Sequence, residues 1–456
     1  MDVSTYLREN EGRFVAELCE CCRFASVSAL GSPDIGRNRD WISARLEGLG
    51  ASVTHLPTSG QDAIVGLFRG GSRRRLLLYS HYDVQPTEPD DLWDAAPFSP
   101  QLRNGRVYAR GVSDDKSDVM ARMHAIETWL ACIGDLPFDL VYLCEGEEEV
   151  GSPNLAKLVE DHSELLKADG CLWESTALSS SGEAQLFAGV RGALFVELEV
   201  RLLDTDVHSG YASIYENAAS VLVSALASLK DLSGRVSING FYDGVRDPSP
   251  DDKSLMDRVL VDKESLLASV GARRLVAGTS GQSISEQLLF NSTANIAGLS
   301  AGYFGQGPKA IVPAVALAKM DFRLVPDQMP DDILVKLKRH LAECGFGDVQ
   351  VKTISQVPPA RSQLNSTVVT AAVSASDRVY GSTILLPFMP ATGPLYPFVA
   401  RLGVPTVLSA GAGRPDSRVH AVNENILVTD YLKSIEYNVQ LFKELQVAWG
   451  TSAATG

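Results

Sequence analysis

An α/β fold, built on a mostly parallel sheet and interrupted by a smaller α+β domain, is predicted by three features of the 456-residue sequence. First, short continuous apolar runs alternate with helical patterns through the N-terminal third. That alternation marks strands buried on both faces and joined by helices. Second, the pattern changes near Ser179-Ser180-Ser181-Gly182, and Leu194-Phe195-Val196-Glu197-Leu198-Glu199-Val200 then alternates as a sheet with one solvated face does. Third, the first pattern returns after about Pro358. The expected boundaries are 1–188 for the first part of the larger domain, 189–357 for the insertion and 358–456 for the second part.

Taken in order, Arg13 to Phe24 reads as an amphipathic helix and Arg39 to Leu49 as a second, with Trp41, Ile42, Leu46 and Leu49 at helical spacing. Ala63 to Phe68 is strand-like, and Arg75 to Ser80 is a continuous apolar strand ending in His81-Tyr82-Asp83. A helix over Lys116 to Cys132 follows, then a strand over Phe138 to Leu143, a helix over Leu155 to Leu166 and a strand over Gly170 to Trp173. In such sheets ligands gather at the C-terminal ends of the strands, and His81, Glu148, Glu149 and Glu174 are expected to follow such ends. The insertion is expected to hold strands over Ala294–Leu299, Val315–Leu324 and Val349–Ile354, and helices over Asn217–Leu229 and Asp331–Cys344. Asp247 to Lys253 reads as a Pro/Asp-rich loop. A helix over Thr367–Val379, a strand over Pro405–Ser409 and a helix over Thr429–Gln446 complete the chain.

The totals narrow the function. Hydrophobic residues make up 45% and charged residues 21%, enough apolar material for a large core. A net charge of −15 repels nucleic acid and anionic membranes, which argues against both as partners. No stretch approaches the ~20 apolar residues of a membrane span. Met1 to Ala29 lacks the apolar core of a signal peptide. The seven cysteines are odd in number and lie mostly in apolar segments, so free thiols in a reducing cytoplasm are expected. Cys19, Cys21 and Cys22 have no second Cys/His pair at zinc-finger spacing.

Chemistry-bearing residues gather in a few places. Glu145-Gly146-Glu147-Glu148-Glu149 puts four carboxylates behind an apolar strand, and like charges this close lie on a solvated face or surround a cation. At i and i+2 on a strand end, His81 and Asp83 point the same way, so the carboxylate can hold one imidazole nitrogen while the other binds a metal. Asp114-Asp115 opens a helix and is either an N-cap or a ligand pair. With Glu174 and with His420 in Arg418-Val419-His420-Ala421-Val422-Asn423-Glu424, the set offers two histidines, three carboxylates and a spare glutamate. Mixed N/O donors suit zinc, with cobalt or manganese as alternatives. Two metals ~3.5–4 Å apart would clamp the attacking and developing oxygens, one glutamate of the pair ligating while its neighbour takes the proton of an activated water.

Six segments in this order carry a resemblance: His81 to Pro86, Trp93 to Phe98, Gly105 to Lys116, Glu145 to Ser152, Asp206-Val207-His208-Ser209-Gly210, and His420 to Glu424. Over about Phe14 to Leu445 the chain resembles the di-zinc metallopeptidase family of carnosinase, cytosolic dipeptidase, acetylornithine deacetylase, succinyl-diaminopimelate desuccinylase, aminoacylase and glutamate carboxypeptidase. The resemblance implies that the larger domain is catalytic and the insertion a lid and dimerisation domain. It implies one metal on His81 and Glu174, a second on Glu149 and His420, Asp114 bridging them with a cis peptide to the next residue, Asp83 orienting His81, and Glu148 as general base and acid. It further implies a homodimer in which His208 reaches the partner's site and steadies the oxyanion, with Arg323 and Gly393 contacting substrate. Glu147 falls where the family varies, so there the solvated reading stands, and Glu145 is given no chemistry.

Three positions depart from the dipeptidase pattern. Ala310 stands where a polar Asn or Thr is usual, Pro390-Ala391-Thr392-Gly393-Pro394-Leu395-Tyr396 lacks the usual substrate-binding arginine, and Ser117 replaces a glycine. The expected activity is therefore hydrolysis of a small amide, first a dipeptide and next an N-acyl amino acid. A non-catalytic binding protein of this fold would be expected to lose Glu148 or a ligand, and all are present.

Overall fold

A computed structural model describes residues 1–257, 263–276 and 284–450. Residues 451–456, expected to end the larger domain, lie outside the described residues. In chain order the elements that matter are α1 (Val3–Cys22), α2 (Asp34–Gly48), β1 (Ser52–Leu56), β2 (Ala63–Phe68), β3 (Arg75–His81), α3 (Ser117–Cys132), β4 (Asp139–Glu145), α4 (Leu155–Asp161), β5 (Gly170–Thr176) and β6 (Ala184–Phe187). They continue with β7 (Gly192–Arg201), α5 (Ala218–Ser228), β8 (Thr293–Ala301), β9 (Val315–Leu324), α6 (Pro330–Glu343), β10 (Gln350–Val357), α7 (Thr367–Tyr380), β11 (Thr383–Leu386), β12 (Thr406–Ala410) and α8 (Val428–Ala448).

The chain divides into two compact units. The first comprises Met1–Gly189, Arg361–Pro387 and Pro394–Gly456, and the second Val190–Ala360 with Phe388–Gly393. An eight-stranded sheet ordered β1-β2-β4-β3-β5-β12-β6-β11 forms the centre of the first unit. Its middle strands β4, β3, β5 and β12 run parallel, while β1 and β2 add antiparallel neighbours at one edge. Every residue of β4 is buried, as is β3 after Arg75, which is why both read as unbroken apolar runs. The core runs from Phe14 and Leu18 of α1 through Met120 and Ile126 of α3 to Val369 of α7 and Phe442 of α8. In the second unit the sheet order is β8-β9-β7-β10, all antiparallel. Alternate residues of β7 and β9, such as Val196, Leu198, Ala318 and Phe322, face a core shared with α5 and α6.

Several expectations shift. The first helix begins at Val3, because Asp2 caps it by accepting from Thr5 N at 3.0 Å. The helix expected over Leu155–Leu166 is broken at His162 into Leu155–Asp161 and Ser163–Leu166. Asp247–Lys253 is not wholly loop: Ser249 and Asp252 form a capping box that starts a short helix over Pro250–Met256. Glu174 does not follow its strand. It lies within β5, where Trp173 pairs with Leu408 and Ser175 with Ser409, leaving Glu174 as the extra residue of a bulge.

Candidate metal centre

His81 is the last residue of β3 and is fully buried. Its Nδ1 lies 3.1 Å from Asp83 O and 3.3 Å from Asp83 Oδ1, and its Nε2 lies 3.1 Å from Asp114 Oδ1. Asp83, also fully buried, accepts from Glu148 N at 3.2 Å and Glu149 N at 3.0 Å. One carboxylate therefore ties the strand-end imidazole to the turn that carries the paired glutamates.

Asp114 has an extended backbone, and its peptide bond to Asp115 is cis. Its second oxygen, Oδ2, lies 3.0 Å from His420 Nε2, so the two oxygens of Asp114 face two imidazoles from opposite ends of the chain. His420 has a left-handed φ of 61°, an uncommon conformation outside glycine, and its Nε2 is also 3.3 Å from Glu149 Oε2. Gln85 Nε2 donates to that same glutamate oxygen at 2.8 Å. Donor atoms of His81, Asp114 and Glu149 all fall within 4.8 Å of one another. Among the described residues, Glu149 Oε1 and Glu174 Oε1 are buried with no hydrogen-bond partner. The orphaned oxygen of Glu149, whose other oxygen lies 3.3 Å from an imidazole nitrogen, is what a divalent cation would satisfy, so His81, Asp114 and Glu149 fit a metal.

The electrostatics agree with this fit. Burial pushes Glu148 up to about 8, with the Asp114, Glu149 and Asp83 carboxylates adding to it and His81 opposing. Burial and the nearby Glu148 carry Glu174 well above the carboxylate range. Hydrogen bonds with Asp114 and then Glu149 raise His420 to about 10. For His81 burial opposes charging, yet its bonds to Asp114 and Asp83 outweigh it and raise the ring well above the usual imidazole range. In Asp114, burial is likewise outweighed by the two histidines, and its value is lowered.

A pH dependence follows for chelator-stripped protein. Folded Glu148 keeps its proton to about 8, against an ordinary 4.5. The folded state therefore binds more protons across that window, and this contribution is complete below about 4.5 and lost as pH rises through 8. His420 acts in the same sense higher up, from 6.5 to about 10. The melting temperature of stripped protein is expected to fall steadily from about pH 5 to about pH 9, and added zinc to raise it most at the alkaline end. Calorimetry across that range checks this; a rise with pH in stripped protein contradicts it.

The remaining expected residues lie in the second unit. His208 ends a two-residue strand paired with Ile311–Val312; it is exposed, and its Nδ1 accepts from Gly210 N at 3.0 Å. Arg323, in β9, donates from Nη1 to Thr392 Oγ1 at 2.8 Å, and its guanidinium lies 5.5 Å from the Phe195 ring centroid. Gly393 follows Thr392 and closes the Phe388–Gly393 segment of that unit. Glu147 departs from its solvated reading: it is 9% exposed and accepts from Asn154 Nδ2 at 2.6 Å. Gln85 and Glu424 make contacts that the residue pattern alone did not single out, although both fall inside the ordered segments quoted above.

Oxygen and imidazole donors converging at the C-terminal edge of a parallel sheet, beside a carboxyl whose value burial raises, are the equipment of a metal-dependent hydrolase. Residues 77–444 match the model of peptidase family M20/M25/M40, and the chain belongs to that family. It is 36% identical to an M20 family metallo-carboxypeptidase from Sulfolobus solfataricus, covering 95% of this chain and 99% of that one with a TM-score of 0.89. It is also similar to the Beta-Ala-His dipeptidase of Rattus norvegicus, 25% identical over 96% of this chain and 94% of that one. The Cys-Gly metallodipeptidase of Schizosaccharomyces pombe is 26% identical over 94% of each. Among the described residues no helix is long and apolar enough to cross a membrane.

Proposed function

We propose that the chain hydrolyses the amide bond of a small peptide, using two divalent metal ions and Glu148 as general base and acid. The observation that carries this reading is Asp114 set between His81 and His420, with Glu148 beside Glu149 in the adjoining turn. Asp114 would bridge, His81 and Glu174 serving one ion and Glu149 and His420 the other. The mixed donors suit zinc, with cobalt or manganese as alternatives. Bound metal supplies Lewis acidity, acidifying a water and polarising the scissile carbonyl. Glu148 accepts the proton of the attacking water and returns it to the leaving nitrogen. Asp83 holds His81 through Nδ1 and fixes the Glu148–Glu149 turn through its amides. Arg323 presents a planar cation to a carboxylate or carbonyl of the substrate, steadied by Thr392 in the loop that lacks an arginine and also holds Gly393.

The relatives named for Beta-Ala-His and Cys-Gly make a dipeptide the first substrate class. The 36% identity to a metallo-carboxypeptidase supports a second reading, removal of the C-terminal residue from a longer peptide. The test is metal analysis joined to a screen of dipeptides, longer peptides with free carboxyl ends and N-acyl amino acids. Free amino acids should appear from dipeptides, stop with EDTA and resume with added zinc or cobalt. Metal-free protein with EDTA-resistant activity ends the two-metal reading; acyl release without dipeptide cleavage replaces the dipeptidase by a deacylase.

The reading extends to a homodimer, and to a reducing cytoplasm, the latter supported by the seven free cysteines. There His208 of one subunit would serve the partner's site by steadying the oxyanion. Mixing inactive His208→Ala with inactive Glu148→Ala subunits is then expected to restore part of the activity through hybrid dimers. No recovery after demonstrated subunit exchange argues against a role in trans.

A further inference from the structure

Behind Asp114 lies a carboxylate to which the reaction above gives no part. Arg106–Tyr108 pairs antiparallel with Asn425–Leu427, which sets the residues after Tyr108 beside those before Asn425. Ala109 N accordingly donates to Glu424 O at 3.1 Å. The side chain of Glu424 is 1% exposed and accepts four hydrogen bonds from one loop. Arg110 Nη1 and Gly111 N each meet Oε2 at 2.8 Å, while Ser113 N and Asp114 N meet Oε1 at 2.8 and 3.2 Å. Arg110 is anchored in turn by donating to Pro86 O at 3.0 Å and lies 5.2 Å from the Trp93 ring centroid. The curl needs Gly111, whose φ is +79° and whose Cβ, were one present, would lie 2.3 Å from Val84 Cγ1.

We propose that Glu424 is the positioning residue that shapes the Arg110–Asp114 loop, so that Asp114 can offer one oxygen to each of two metal ions. This rests on the reading of Asp114 as a metal ligand. Successive amides wrapped around one acid form a concave donor nest, and one of those amides belongs to Asp114 itself. Four N–H donors face the two oxygens, so the nest calls for a side chain that accepts at both. A carboxamide does not: whichever way Gln is turned, its NH2 faces two N–H donors. Glu424→Gln keeps the shape of the side chain but sets donor against donor at one edge of the loop.

The test strips the full-length protein with a chelator and titrates it with cobalt(II). Affinity is read by competition with a chromophoric chelator, ligand geometry by visible absorption, and folding by circular dichroism. Folded Glu424→Gln is expected to bind cobalt about 10- to 100-fold more weakly than wild type, with an altered absorption band. Folded Glu424→Gln with wild-type affinity and spectrum overturns the proposal. If that variant does not fold, Arg110→Met leaves the three amides and removes one arm of the clamp. A smaller loss of cobalt affinity is then expected, and folded Arg110→Met indistinguishable from wild type overturns the proposal. Wild-type protein that binds no cobalt is a separate failure: it overturns the metal reading itself, and the proposal with it.

Discussion

Glu148→Gln is expected to lower kcat by about 100- to 10,000-fold while the protein keeps its metal. Glutamine matches the size of glutamate but cannot take a proton from water. The turn itself should survive, because Glu148 reaches Asp83 through its backbone N–H at 3.2 Å, a contact no side-chain change removes. Glu149 N keeps its own bond to Asp83 at 3.0 Å, so the neighbouring candidate ligand stays in place. Nor should the substitution cost much stability in stripped protein. Burial holds Glu148 protonated up to about pH 8 there, so a neutral amide replaces a group already neutral. KM is expected to move little, since the lost proton transfer belongs to the transition state. Steady-state kinetics and metal analysis on one preparation give the answer. Loss of metal with loss of turnover would mean that Glu148 ligates and Glu149 shuttles the proton, the reverse of the roles proposed.

Periodicity made the frame legible, and local backbone geometry hid the rest. β3 and β4 are buried on both faces, so Leu76 to Tyr79 and Leu140 to Leu143 read as strands without help. β6 and β11 have four residues each, too short for a periodic signal, and β6 follows the Ser/Gly-rich stretch near which the pattern changes. His81, Asp114, Glu149 and His420 lie together here, and their shared place is an expectation that the family resemblance supplies, since residue type alone leaves Asp114 open as an N-cap. Glu174 was placed one structural step wrongly because a bulge is a register fact, set by which residue of β12 pairs with Trp173 and Ser175. Glu147 reads as solvated because it falls where the family varies, but it is buried and accepts from Asn154, seven residues on. Glu424 gave no warning of its clamp, since its partners lie more than 300 residues away in sequence.

Asp114→Ala is expected to abolish turnover and to reduce bound metal below two ions per chain. Removal of the carboxylate leaves His81 Nε2, now 3.1 Å from Asp114 Oδ1, facing no acid across that gap. His420 Nε2 would lose Asp114 Oδ2 but retain Glu149 Oε2 at 3.3 Å, so the two Nε2 atoms are left with unequal partners. Asp114→Asn then separates bridging from simple charge. Its one oxygen can serve one metal, and its NH2 must face the other, because an amide offers a single acceptor edge. One retained ion with residual activity far below wild type is the expected pattern for Asn, and still weaker binding for Ala. The aspartate backbone amide remains on Glu424 in both variants, which isolates the side chain from the loop that carries it. Metal stoichiometry by elemental analysis, set beside kcat, reads both. Two ions and wild-type turnover in Asp114→Ala would remove Asp114 from the centre, and with it the bridging arrangement on which the two-metal chemistry depends.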